Sequence, residues 1–306
     1  MTLPWKREMD RVDGAVGPRL VLRLETMTGD WVNTNSESLG IRRVQVMARG
    51  GGLTVRPVAA GEPAPGDWGE AAAGSIFADG MRSDHGMAWS ARFRAASGWE
   101  SHLQANVNLG LLVLAAFHAA PCSDRSAADE EPGRCGGSSY FAREFYRRAD
   151  GAVSSDHGPS SDAGTAPPSE GGGGGAVDPG PLLGTWHNTN PTARGIARID
   201  LRQLRQPEQR RHAEAGFTCQ VLGVGAPAPS GSSEPPIDWG RVSATAFAHD
   251  SGDRMAMAFS AAYDFGFQQV ELQANVKQGV LVVASFNRFA ASDPRSSYFT
   301  REFFYR

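Results

Sequence analysis

The chain is poor in the features that most directly announce a function. It has 3 cysteines and 7 histidines in 306 residues, and 30 basic side chains nearly balance 33 acidic ones, for a net charge of -3. With no positive excess to neutralise a phosphate backbone, nucleic acid is not expected as a partner. The opening stretch MTLPWKREMDRVDGAVGPRL has no apolar run of the kind a signal peptide needs, and no apolar run elsewhere is long enough to span a bilayer as a helix. The expectation is therefore no membrane and a cytoplasmic location. An odd cysteine count without a secretory signal favours free thiols. In an oxidising compartment, Cys122 and Cys135, which bracket PCSDRSAADEEPGRC, would be the pair to bridge, whereas Cys219 sits in the apolar stretch FTCQVLGV.

Catalytic and metal signatures are missing too. There is no His-x-x-x-His, Cys-x-x-Cys or Gly-x-Ser-x-Gly. Glycines 171 to 175 are not followed by Gly-Lys-Ser/Thr, so they do not form a phosphate loop. No metal and no cofactor are expected.

What the sequence does have is a repeat. MTGDWVNTN at 27–35 returns as LLGTWHNTN at 182–190, and Gly40-Ile41 returns as Gly195-Ile196. In the same order, Asp67-Trp68-Gly69 answers Asp238-Trp239-Gly240, LQANV at 103–107 answers 272–276, and SSYFAREFYRR at 138–148 answers SSYFTREFFYR at 296–306. No histidine of one copy faces a histidine in the other, which excludes a shared His-based triad or metal site. Between the copies, residues 151–181 are rich in Gly, Ser, Pro and Asp and read as a flexible linker, spanning on the order of 30 Å as a random coil. The organisation is thus an N-terminal arm at 1–18, a first domain at 19–150, the linker, and a second domain at 182–306.

Each copy divides into about eight segments rich in β-branched and aromatic residues, separated by turn formers such as Asn108-Leu109-Gly110 and Lys277-Gln278-Gly279. Short sequential strands with local turns favour an all-β fold of two tandem eight-stranded antiparallel up-and-down β-barrels, with a sandwich as the other option. Asp-Trp-Gly is read as a turn whose indole packs across a barrel mouth.

Gly-x-Trp on the first strand and a basic, aromatic last strand resemble the calycin superfamily, the lipocalin- and avidin-like barrels. The resemblance implies that Trp31 and Trp186 each close a barrel end under an arginine of the last strand, Arg143 and Arg301, with Arg148 and Arg306 competing for that place. Gly-Thr-Trp-x-Asn at 184–188 is similar to an avidin first strand. By that resemblance Asn188 and Asn33 would bond a ligand, while the scarcity of tryptophans on later strands argues against biotin.

In VELQANV, alternation puts Val270, Leu272 and Ala274 on one face and Glu271, Gln273 and Asn275 on the other. Either the apolar face lines the interior, or Gln104, Asn106, Gln273 and Asn275 point inward as polar anchors for a ligand. VLVVASF and SSYFTREFFY are apolar on both faces, so residues 111–117, 140–146, 280–286 and 298–305 are expected to meet another barrel, within the chain or in a homo-oligomer. Three functions remain open. One is a non-catalytic binder with one apolar cavity per barrel, holding a small apolar molecule. Another is a metal-independent isomerase or cyclase using Glu144, Glu302 or His187. The third is a structural module assembling through the last two strands.

Overall fold

The computed structural model describes residues 18–59, 68–94, 99–119, 139–149, 177–193, 195–203, 217–223, 237–249 and 253–306. Cys122, Cys135, the arm before residue 18 and linker residues 151–176 lie outside them. The described residues are all-β, with seventeen strands joined in one hydrogen-bonded sheet. Among the described residues no helix is long and apolar enough to cross a membrane.

The first half comprises β1 (Gly29–Asn33), β2 (Ile41–Arg49), β3 (Gly52–Ala59), β4 (Ala71–Ala72), β5 (Ser75–Ala78), β6 (Gly86–Arg94), β7 (Glu100–Asn108), β8 (Leu111–Ala119) and β9 (Tyr140–Arg148). The second comprises β10 (Gly184–Asn188), β11 (Ile196–Gln203), β12 (Phe217–Gly223), β13 (Ile237–Ala248), β14 (Ala256–Asp264), β15 (Gln268–Lys277), β16 (Val280–Phe289) and β17 (Tyr298–Tyr305). Sequential strands pair antiparallel, with β4 and β5 sharing one place between β3 and β6. In each half the first strand also pairs with the last, Trp31 opposite Arg148 and Asn188 opposite Phe304.

Alternation explains the inner face of each half. β12 buries Phe217, Cys219 and Val221 in turn, and β3 buries Leu53 and Val55. The apolar face of LQANV points the same way, because Leu103 and Ala105 join the core around Trp31 while Leu272 and Ala274 join the core around Trp186. Both cores hold large, fully buried side chains, Trp31, Trp89 and Tyr146 in one and Trp186, Phe217, Phe259 and Phe304 in the other. Cys219 lies in this packing, and burial pushes its thiol up to about 12.

The repeated motifs have local structural causes. Gly29 and Gly184 adopt φ 134° and 130°, a backbone region that L side chains rarely enter, and a Cβ on Gly29 would stand 2.9 Å from Arg148. Two residues on, the indole N–H of Trp31 donates to Met27 O at 3.0 Å and that of Trp186 to Leu182 O at 2.9 Å. Arg148 lies 4.7 Å over Trp31 and Arg306 4.2 Å over Trp186. The arginines over the tryptophans are therefore the last of each repeat, and the expected Trp31–Arg143 and Trp186–Arg301 pairings give way. Side-chain parity is the reason: Arg143 and Arg301 share the outward face with Phe141 and Phe299.

Two other readings change with the backbone in view. Residues 177–182, assigned in part to the linker, pack on the second half: Asp178 bridges to Met255, and Leu182 is fully buried. Asp238-Trp239-Gly240 is no turn but lies within β13 at a register shift opposite β12, with Gly240 at φ 84°. Trp239 there packs edge-on to Tyr263 and Phe265.

The halves touch reciprocally. Phe77 and Ala88 of the first meet Phe286 and Phe299 of the second, while Phe247 and Ala258 of the second meet Phe117 and Phe141 of the first. Backbone bonds repeat the pattern, Ala78 N–H to Ser297 O at 2.8 Å and Ala248 N–H to Ser139 O at 2.9 Å. Residue pairs that exchange roles in this way define an isologous contact, the kind found between identical subunits.

Candidate functional site between the two halves

The ten candidate residues separate into two groups. Trp31, Asn33, Trp186 and Asn188 stay in the strands that close each half. Asn33 donates to Ile41 O at 2.9 Å and accepts from the Asn35 amide at 2.9 Å. Asn188 repeats both bonds, to Ile196 O at 2.7 Å and from the Asn190 amide at 2.8 Å. The second asparagine of the motif does likewise, Asn35 accepting from the Glu37 amide and Asn190 from the Thr192 amide. Asn-Thr-Asn is thus a run of side-chain-stabilised turns, and its amides serve the backbone.

Glu144 and Glu302 complete the same corner. Glu144 accepts from Ser38 and, at 2.9 Å, from the Tyr146 hydroxyl. Glu302 accepts from Asn188 and the Ile196 amide, both at 3.2 Å. A Cβ on Gly195 would stand 2.5 Å from the Glu302 carboxylate, which is why Gly-Ile recurs beside it. His187 is exposed, its ring 6.0 Å from that of Tyr305.

The other six residues, Gln104, Asn106, Arg143, Gln273, Asn275 and Arg301, come together between the halves around a gap of about 30 Å³ walled by Phe117, Phe141, Phe286 and Phe299. Arg143 Nη1 donates to Asn275 Oδ1 at 2.9 Å. Burial first, and then the charge of Arg301, lowers Arg143 to about 10. Burial also lowers Arg301.

A larger cleft of about 270 Å³ shares Phe117 and Gln273 with the gap and is lined also by Arg92, Phe93, Ser101, His102, Phe247, Ser260 and Glu271. His102 Nδ1 lies 3.1 Å from Glu271 Oε1, and Arg92 lies 3.7 Å from the same oxygen. Burial alone would raise Glu271. Its bond to His102 and the charges of His102, Arg92 and Arg288 outweigh that and hold it below the ordinary carboxylate value. It is therefore ionised at neutral pH.

Of the cleft residues only Gln273 was among the candidates; Arg92, His102, Phe247, Ser260 and Glu271 were not. One signal in the sequence bears on them: matching positions 102 and 271 carry His and Glu, a complementary pair when equivalent residues face each other across an isologous contact. Among the described residues no group of three or more His, Cys, Asp or Glu is placed to hold a metal. Comparison with known proteins gives no further lead, since no family model, no curated protein and no solved structure matches the chain.

Proposed function

We propose that the chain is a non-catalytic binding protein, two calycin-like eight-stranded barrels packed as an intramolecular pair, with a small amphipathic molecule held in the cleft between them. The barrel reading is supported by sequential pairing closed by first-to-last pairing, and by a tryptophan under an arginine in each half. The observation that carries the binding reading is the 270 Å³ cleft, which combines Phe93, Phe117 and Phe247 with Arg92, Ser260 and Gln273. Binding sites pair an apolar body with a few polar anchors in this way. An apolar cavity inside each barrel has less support, because the interiors hold Trp31, Trp89, Tyr146, Trp186, Phe217 and Phe259 at full burial.

No observation favours an isomerase: Glu144 and Glu302 brace loop corners, and Glu271 is held ionised in an ion pair. The interaction reading has one in its favour, since Phe117, Phe141, Phe286 and Phe299 of the last two strands of each half pack against the other half.

Native mass spectrometry of protein purified from the cells that make it tests the binding reading. The expected result is a small-molecule mass released on activation and absent from Ser260→Trp, whose indole fills the cleft while its melting temperature stays near that of the parent. Retention of the mass in Ser260→Trp, or no bound mass in the parent, would count against the cleft.

A further inference from the structure

Arg143 and Arg301 occupy matching positions of the repeat, and the isologous contact brings them to the same gap. Their sequence neighbours Glu144 and Glu302 turn away and are held by Tyr146 and by the Ile196 amide. Among the described residues lining the gap there is no carboxylate. Among the described residues, Arg143 Nε, Arg301 Nε and Gln273 Nε2 are buried and have no hydrogen-bond partner. Gln104 and Gln273, at 2% and 3% exposure, also leave their Oε1 atoms unbonded. Guanidinium groups keep their protons in such surroundings, so two like charges share a partly buried gap with no carboxylate among its described lining residues.

We propose that this gap binds one small monovalent inorganic anion, of the size of chloride, between Arg143 and Arg301. Three unused N–H donors belong to residues that line it, and two positive charges supply the attraction. A volume of about 30 Å³ has room for roughly two water-sized bodies, too little for an organic acid or for sulfate with its shell of partners. The site is separate in role from the neighbouring cleft: the anion fastens the halves together whether or not the cleft is filled.

The test uses the full chain, with chloride exchanged for the bulky anion gluconate at constant ionic strength. The expected melting temperature is higher in chloride by roughly 5 °C. Arg143→Gln and Arg301→Gln abolish that difference, and in gluconate each melts above the parent because one of two repelling charges has gone. A bromide-soaked crystal of the parent shows an anomalous peak between the two guanidiniums, a result that does not depend on any variant folding. Equal melting of the parent in both salts, a chloride effect that survives both substitutions, or no bromide peak would overturn the proposal.

Discussion

His118 shows how far one position can diverge while the fold around it repeats. Its twin in the second half is Asn287, and both are buried. His118 Nδ1 lies 2.8 Å from Ser101 Oγ, and the ring stacks on Tyr140 at 4.4 Å and meets Trp68 edge-on at 5.8 Å. Burial lowers its pKa from 6.5 to about 4, so the folded protein holds it neutral. As pH falls below 6.5, the unfolded chain binds a proton that the folded chain refuses until about 4, and stability drops across that window before levelling off. The loss is on the order of 3 kcal/mol. Urea unfolding from pH 7 to pH 4 should show it, and His118→Asn, which installs the residue of the second half, should flatten most of the slope. An unchanged slope would place its origin in another group.

At the scale of elements, the hairpins between β7 and β8 and between β15 and β16 carry a small strain that sequence alone reveals only in part. Both central residues of each turn have positive φ, Leu109 at 49° and Gly110 at 79°, Gln278 at 51° and Gly279 at 79°. Such turns favour Asn-Gly, and neither Leu nor Gln enters the left-handed region readily. Leu109, at 96% exposure, has no packing to offset this. Leu109→Asn and Gln278→Asn should each raise stability by about 0.5–1 kcal/mol, measured by thermal or urea unfolding. No gain in either would mean that neighbouring contacts set the turn. The strands themselves were legible, because alternation and turn formers are local properties of the chain. The division of β4 from β5 and the register shift at Trp239 were not, because each depends on how a strand must bend to meet two neighbours. The same limit applies to the site. Repetition drew attention to Gln104, Asn106, Gln273 and Asn275, and alternation put them on one face, but what lies across that face is a long-range fact.

At the scale of the molecule, the isologous contact gives a physical reason for keeping two unequal copies in one chain. Matching residues meet near its centre, and there the copies differ by charge: His102 of one half faces Glu271 of the other at 3.1 Å. Two first copies would set His against His, and two second copies would set Glu against Glu, with Glu at 24% exposure and little water to screen it. Only the mixed pair is complementary, and fusion in one chain guarantees that it forms. His102→Glu should therefore destabilise the protein at neutral pH by on the order of 2–3 kcal/mol, with the deficit shrinking as pH falls and the facing carboxylates take up a proton. The reciprocal exchange, His102→Glu with Glu271→His, should restore part of the stability and no more, because Arg92 and Arg288 would then act on a histidine in place of the carboxylate they now stabilise. Urea unfolding of the parent, the single variant and the exchange at pH 7 and pH 4 measures all three terms. A single variant as stable as the parent at pH 7, or an exchange no better than the single variant, would show that the pairing across the contact contributes nothing to holding the halves together.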